Sequence, residues 1–217
     1  MIKYVIFDLD GTLLDTITTI TYYVNLVLER NNIPKITEEE CKYFVGNGAK
    51  LLIKRALESR GAYSEELFNL VYDEYNREYN RAPLYLTEPY EHIVDLIGAL
   101  RERDMRLAVL SNKPDEATRD IIPSFFPGDF SVVHGGRENI ALKPMPDGVY
   151  EIYRELGAAA DEVMYVGDTG VDMQTGKNSG AKITVGVSWG FRKREELISS
   201  GADAVVDSPL EILDLLK

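Results

Sequence analysis

The order in which strand-like and helix-like segments follow one another constrains the fold of this chain more than any other feature. Helical spacing of apolar residues occurs around positions 93–100, 146–156 and 192–200. Between such segments lie five short runs rich in β-branched and apolar residues, at positions 2–7, 106–110, 163–166, 182–187 and 204–206. Because strands that alternate with helices form βαβ units, we predict an α/β fold with a doubly wound, mainly parallel sheet.

One long interval, residues 16–82, interrupts this alternation. It contains no strand-like run and is longer than a connection between a strand and a helix requires. Two helical faces are visible in it, formed by Ile17, Ile20, Val24, Val27 and Leu28 and by Phe68, Tyr72, Tyr75 and Tyr79. We interpret the aromatic face as core packing and not as a ligand site. We therefore predict a helical insert of residues 16–82 within a core domain of residues 1–15 and 83–217.

Composition and charge narrow the class of partner. The chain has 217 residues and a formal net charge of −12, which disfavours a nucleic-acid partner. No apolar run approaches the roughly 20 residues that span a bilayer, and the N-terminal run is too short and acidic for a signal peptide. Cys41 is the lone cysteine, so an internal disulfide is excluded. We expect a cytoplasmic protein, either a monomer or a homodimer, that does not bind membranes.

Aspartates directly follow two of the predicted strands. Asp8 and Asp10 come after the run 2–7, whereas Asp168 follows 163–166 and Asp172 lies near the start of the next helix. The carboxyl ends of parallel strands share one edge of a sheet, so these side chains are expected to converge. Carboxylates this close resist ionising together unless a cation lies between them, and Mg²⁺ prefers oxygen ligands. The sequence therefore indicates a Mg²⁺ site, although Asp168 alone could be an ordinary helix N-cap.

Two further segments indicate phosphate binding. Ser111 and Asn112 follow the run 106–110, and Lys143 lies in the segment KPMPD. A hydroxyl beside turn amides can hold phosphate oxygens, and a lysine supplies positive charge. Alone, each could be a strand-end cap or a solvated surface residue. In combination with the aspartates, we expect Ser111, Asn112 and Lys143 to bind a phosphate group.

Four motifs together resemble the haloacid dehalogenase superfamily, in its phosphatase branch. They are DLDGTLLD, VLSNKP, LKPMPD and GDTGVD, and they stand in the order that the superfamily has. The resemblance extends over the whole chain. It implies a Rossmann-like core, with residues 16–82 as a helical cap of the first subclass, and phosphoryl transfer through an aspartyl-phosphate. Dehalogenases of the superfamily lack the second aspartate of the first motif, so the resemblance favours a phosphatase.

The resemblance also implies a role for each motif residue. Asp8 is the nucleophile, while Asp10 protonates the leaving alcohol and then activates water. Mg²⁺ is held by Asp8, Asp168 and the backbone carbonyl of Asp10. Asp172 either binds the metal or orients one of its ligands. The transferring phosphoryl group is bound by Ser111 and Lys143.

The insert contains a glycine-rich segment that resembles the specificity loop of phosphoglycolate phosphatases. We expect this loop, residues 46–48, to approach a small substrate. The candidate contacts are Gly46, Asn47, Gly48, Lys50 and Arg55, of which the last two could meet a carboxylate. A joint between two helices with two turn glycines explains the segment equally well.

The substrate that the resemblance favours is 2-phosphoglycolate. The alternatives within the superfamily are a pyrophosphatase, a nucleotide or sugar phosphatase, and a phosphomutase similar to β-phosphoglucomutase. A non-catalytic module that binds a phosphorylated ligand is a more remote alternative, because every catalytic position holds a competent residue.

Overall fold

The computed structural model describes residues 1–216, and its elements follow an α/β order. In chain order the strands of these residues are β1 (Tyr4–Phe7), β2 (Leu14–Asp15), β3 (Glu88–Pro89), β4 (Arg106–Pro114), β5 (Val132–Gly136), β6 (Val163–Gly167), β7 (Ile183–Val187) and β8 (Ala204–Val206). Their α-helices are α1 (Ile17–Arg30), α2 (Glu38–Phe44), α3 (Ala49–Ser59), α4 (Glu65–Arg81), α5 (Ile93–Arg101), α6 (Asp115–Phe125), α7 (Asp147–Leu156), α8 (Gly170–Ser179) and α9 (Arg194–Ser199). Two short 3₁₀ helices cover Ala160–Glu162 and Pro209–Leu215.

Six strands form one parallel sheet in the order β5-β4-β1-β6-β7-β8. The predicted Rossmann-like, doubly wound fold is therefore confirmed, and each of the five predicted runs contributes a strand. The sequence did not indicate β5. Its residues, VVHGG, include a histidine and two glycines, which weaken the β-strand pattern.

Strand β1 lies inside the sheet, and its position determines where the aspartates emerge. Its last residue, Phe7, is opposite Val109 of β4 and Val166 of β6. From β1 the sheet extends to β4 on one side and to β6 on the other, which creates a topological switch point at the carboxyl end of β1. Ligands of doubly wound sheets bind at such a point, and Asp8 is the first residue beyond it.

The four helices α1 to α4 lie between β2 and β3 in the chain. These two short strands pair antiparallel, with Leu14 opposite Pro89 and Asp15 opposite Glu88, so the chain enters and leaves the helical segment at adjacent positions. The apolar faces of the helices are buried against one another, as Val24, Leu28, Ile53, Leu57 and Val71 show. That residues 16–82 form a separate domain stays a prediction.

Helix α2 leads into the loop 45–48 and begins with a capping box. The Thr37 hydroxyl accepts a hydrogen bond from the Glu40 amide, while the Glu40 carboxylate accepts one from the Thr37 amide. The same carboxylate forms a bidentate ion pair with Arg60, with Nη1 2.8 Å from Oε1 and Nη2 2.7 Å from Oε2. Arg60 in turn donates from Nη2 to the Lys35 carbonyl oxygen. Glu40 thus joins the start of α2 to the end of α3.

The substitution Glu40→Gln is expected to lower the free energy of unfolding by about 1 kcal/mol at pH 7, because the pair is partly exposed. Arg60 lowers the pKa of Glu40 from 4.5 to about 2. A carboxylate with a lowered pKa stabilises the fold fully above its ordinary pKa, and this contribution is lost as the pH falls toward the lowered value. Urea unfolding of both proteins at pH 7, 5 and 3 should show the difference shrinking below about pH 4.5.

Glu38→Gln is the matched control. Glu38 lies in the same first turn of α2 and makes no ion pair among residues 1–216. Equal destabilisation by the two substitutions at pH 7 would contradict the role given to Glu40.

Candidate active site

Three buried aspartates meet at the carboxyl end of the sheet. Asp8 follows β1, Asp168 follows β6, and Asp172 lies in the first turn of α8. One carboxylate oxygen from each lies within 4.8 Å of the other two. The predicted convergence of Asp8 and Asp168 is therefore observed, and Asp172 joins them. The side chain of Asp10 lies outside this cluster.

Backbone groups and hydroxyls fix the orientation of two of these carboxylates. Asp168 Oδ2 accepts a hydrogen bond of 2.7 Å from the Phe191 amide. Asp172 Oδ2 accepts one of 2.6 Å from the Thr169 hydroxyl and one of 3.1 Å from the Thr169 amide, the latter as part of the capping box at the start of α8. Gly11, at φ +86°, permits the close packing, since a Cβ there would lie 2.3 Å from Asp168 Oδ2.

Lys143 supplies one positive charge to the cluster. Its Nζ lies 2.8 Å from Asp8 Oδ1 and 2.7 Å from Asp172 Oδ1. Burial opposes a charge on this ammonium group, but the attraction of Asp172 and Asp8 outweighs it and raises the pKa of Lys143.

Lys143 balances only part of the negative charge of the three carboxylates. Burial raises the pKa of Asp8 to about 7, and the negative charge of Asp172 adds to this effect. Burial likewise raises the pKa of Asp168 well above its ordinary range, with Asp172 and Asp8 contributing. When all three aspartates are ionised, Lys143 leaves two negative charges uncompensated. An all-oxygen donor set with this charge fits a divalent cation such as Mg²⁺.

Asp10 is held by a second lysine, to which the sequence assigned no function. Lys113 Nζ lies 3.0 Å and 3.2 Å from the two carboxylate oxygens of Asp10. It also lies 4.5 Å from the ring centre of Tyr79 in α4. Strand β4 extends to Pro114 and not only to the predicted end at residue 110, so Lys113 belongs to a buried strand end. The only sequence signal was its place directly after Ser111 and Asn112.

Ser111 and Asn112 have different surroundings. The Ser111 hydroxyl lines the cavity beside the aspartates, where it accepts a hydrogen bond from the Lys113 amide. The side-chain amide of Asn112 instead donates to the carbonyl oxygens of Gly46 and Lys143, at 2.9 Å and 3.1 Å, and its oxygen accepts from the Lys143 amide. The Asn112 side chain therefore holds Lys143 and the loop 45–48, and phosphate binding by Asn112, which also borders the cavity, stays a prediction.

The glycine-rich segment after α2, residues 46–48, was predicted to approach a substrate, and only its two glycines lie at the cavity. Gly46 and Gly48, at φ +102° and +86°, line the cavity, whereas Asn47 is not among the lining residues. Lys50 is exposed and lies over the Tyr72 ring, and Arg55 donates to the Phe44 carbonyl oxygen. The expectation that Lys50 or Arg55 meets a substrate carboxylate is not supported, because neither side chain borders the cavity.

The aromatic face of α4 is more than core packing. Phe68 and Tyr72 stack on each other with ring centres 5.7 Å apart, as the sequence interpretation expected. Tyr75 and Tyr79, however, line the cavity. Among residues 1–216 the buried hydroxyl of Tyr79 has no hydrogen-bond partner. Tyr75 and Tyr79 thus belong to the buried core, as the sequence interpretation expected, and in addition border the cavity.

The cavity between the sheet edge and the helices is small. Its volume is about 60 Å³. The charged and polar residues that line it include Asp8, Asp10, Ser111, Lys113 and Lys143. At roughly 10–15 Å³ per water, this corresponds to about four to six water positions. The charged groups of the site thus share one confined space with the apolar and aromatic side chains of α3 and α4.

None of the helices within residues 1–216 combines the length and the apolar character that a membrane crossing requires.

Comparison with known proteins identifies the family. Residues 5–186 match the model of the haloacid dehalogenase-like hydrolases. The chain is 29% identical to the phosphoglycolate phosphatase of Haemophilus influenzae, with 99% of this chain and 98% of the other covered. It is 27% identical to that of Aquifex aeolicus, with 99% and 96% covered.

Solved structures agree with this assignment. A crystal structure of a candidate phosphoglycolate phosphatase from Lactobacillus delbrueckii subsp. bulgaricus superimposes with a TM-score of 0.93 at 32% identity, and the match covers 99% of this chain and 98% of the other. The chain therefore belongs to the haloacid dehalogenase-like hydrolase family and is an enzyme of the phosphatase type.

Proposed function

We propose that this enzyme is a Mg²⁺-dependent phosphatase that hydrolyses 2-phosphoglycolate through an aspartyl-phosphate on Asp8. The observation that carries the proposal is the common cavity of Asp8, Asp10, Ser111 and Lys143, beside a buried carboxylate cluster. The similarity to phosphoglycolate phosphatases supports the choice of substrate.

Asp8 is suited to nucleophilic attack. Lys143 Nζ lies 2.8 Å from its Oδ1, and the side chain borders the cavity. In the proposed first step, a carboxylate oxygen of Asp8 forms a bond to phosphorus while the bond between phosphorus and the ester oxygen breaks. Water then attacks the phosphorus of the aspartyl-phosphate, which releases phosphate and restores the carboxylate.

Asp10 is placed to move the protons of both steps. It lies two residues beyond Asp8 and lines the same cavity. In its protonated form it gives a proton to the ester oxygen as the alcohol leaves, and as a carboxylate it takes a proton from the attacking water. Two aspartates at one strand end thus have different functions, since one attacks phosphorus and the other transfers protons.

Ser111 and Lys143 are proposed to hold the transferring phosphoryl group by a hydroxyl donor and a positive charge. The residues that would hold Mg²⁺ are Asp8, Asp168 and the backbone carbonyl of Asp10, with Asp172 as a ligand or as a partner that orients one. Bound there, Mg²⁺ would neutralise negative charge on the phosphoryl oxygens.

The size of the cavity supports a small ester. About 60 Å³ accommodates a two- or three-carbon phosphate far more readily than a hexose phosphate or a nucleotide. This observation favours 2-phosphoglycolate over the substrates of nucleotide phosphatases, sugar phosphatases and phosphomutases of the superfamily. We propose that the helical segment 16–82 acts as the cap that encloses the substrate.

The substitution Asp8→Asn is expected to reduce phosphate release from 2-phosphoglycolate by about a thousandfold or more, because the amide is a poor nucleophile. Release is measured with a colorimetric phosphate assay, and circular dichroism checks that the fold is retained. Asp15→Asn, which alters an exposed carboxylate near the same motif, is the matched control and should keep activity within a few-fold. Turnover of the Asp8→Asn protein close to that of the control would refute the nucleophile assignment.

Removal of the metal is expected to lower the thermal stability of the enzyme more at high pH than at low pH. The pKa of Asp8 is raised from 3.8 to about 7 in the metal-free protein, so the folded state binds more protons than the unfolded state between these values. Stability without metal must then fall as the pH rises through this window. Thermal unfolding in EDTA should show a lower midpoint at pH 8 than at pH 6, and Mg²⁺ should raise the midpoint more at pH 8.

The Asp8→Asn protein provides the control for this experiment, because its pH dependence in EDTA should be flatter. An identical pH dependence with EDTA and with excess Mg²⁺ would contradict the proposed metal site. So would phosphatase activity that persists undiminished in EDTA.

A further inference from the structure

Lys113 is a buried cation in the cavity for which the proposed chemistry has no use. Lys143 already serves the carboxylate cluster and the phosphoryl group, whereas among residues 1–216 the Lys113 ammonium group pairs with Asp10 and lies over the Tyr79 ring. An ammonium group has three N–H donors, and both hydrogen bonds of Lys113 Nζ go to the single carboxylate of Asp10. A donor of Lys113 therefore remains available to a ligand in the cavity.

Polar groups of α4 stand at the same place. Within the described residues 1–216 the buried Tyr79 hydroxyl has no hydrogen-bond partner, and Asn76 and Asn80 also line the cavity. Tyr75 and Tyr79, like Asn76 and Asn80, are four residues apart, so these four side chains share one side of the helix. A buried polar group without a partner is costly, and a ligand that supplies the missing acceptor gains that free energy.

We propose that Lys113, assisted by the Tyr79 hydroxyl, binds the carboxylate of the substrate and thereby determines specificity for phosphate esters of 2-hydroxy acids. This inference rests on the proposed phosphatase function and names the residue that selects its substrate. Lys113 is a specificity-determining residue in this account and takes no part in bond breaking.

The spacing of the groups supports this substrate class. Asp10 is the proposed proton donor to the ester oxygen, and Lys113 Nζ lies 3.0 Å from Asp10 Oδ1. In 2-phosphoglycolate one methylene group separates the ester oxygen from the carboxylate, so the carboxylate oxygens lie within roughly 4 Å of the ester oxygen by bond lengths alone. An ester oxygen beside Asp10 therefore places the carboxylate within reach of Lys113.

The test compares two esters that differ in this carboxylate, 2-phosphoglycolate and ethyl phosphate, by their kcat/KM values. The unmodified enzyme should prefer 2-phosphoglycolate by roughly tenfold to a hundredfold, the range expected for one hydrogen bond between charged groups. Lys113→Met should bring this ratio close to one. Tyr79→Phe should reduce the ratio by a smaller factor, because it removes only the hydroxyl.

The ratio separates specificity from a purely structural function. If Lys113 served only to hold Asp10, its loss would lower kcat/KM for both esters by the same factor and leave the ratio unchanged, which would overturn the proposal. Lys54→Met removes a partly exposed lysine of α3 outside the cavity and should leave the ratio as it is. A ratio that collapses in Lys50→Met and persists in Lys113→Met would also overturn it.

If the Lys113→Met protein does not fold, the kcat/KM values of the unmodified enzyme for the two esters still test the proposal. Equal kcat/KM values for the two esters would overturn the inference while leaving the phosphatase function in place. Release of phosphate from neither ester would overturn the proposed function, and this inference with it.

Discussion

The burial of three neighbouring carboxylates, to which their mutual repulsion adds, is the constraint on which this structure depends. Asp8, Asp168 and Asp172 are nearly inaccessible to water, yet their oxygens lie within 4.8 Å of one another. Isolated charges in such surroundings are very unfavourable, and the raised pKa values of Asp8 and Asp168 express this cost. A protein retains such a cluster only where something else compensates it. Here Lys143 compensates part of the charge, and the remainder matches a divalent cation.

The same arrangement orders the rest of the site. Lys143 is fixed through its backbone by Asn112, whose amide also holds the Gly46 carbonyl oxygen of the segment that follows α2. Asp168 is fixed by the Phe191 amide, and the neighbouring Arg192 donates to carbonyl oxygens of Lys42 and Val45. The charged groups at the sheet edge are thus connected by hydrogen bonds to the end of α2 and the loop 45–48.

The sequence was informative where chemistry depends on strand ends. Asp8 and Asp168 converge because parallel strands expose their carboxyl ends at one edge, a rule that needs only the strand positions. It was uninformative where chemistry depends on how the helices of the insert are oriented. Ala49 and Leu52 of α3 face the cavity, and a helix turns by about 100° per residue, so the adjacent Lys50 points elsewhere.

Lys113 and Tyr79 were missed for the same reason. Their proximity arises from the packing of α4 over the end of β4, which brings residues 34 positions apart in the chain to 4.5 Å. No local periodicity distinguishes a tyrosine that packs from one that lines a cavity. Strand β5 was not predicted because its glycines and histidine weaken the β-strand pattern, whereas in the fold it is stabilised by pairing with β4.

The most direct test of the central claim is the number of protons released when Mg²⁺ binds. Isothermal titration calorimetry of the substrate-free enzyme, repeated in buffers of different ionisation enthalpy, measures this number at each pH. If buried aspartates hold protons in the absence of metal, Mg²⁺ should bind at one site and release protons, with more released at pH 6 than at pH 8. Failure to bind Mg²⁺, or binding without proton release at either pH, would contradict the account.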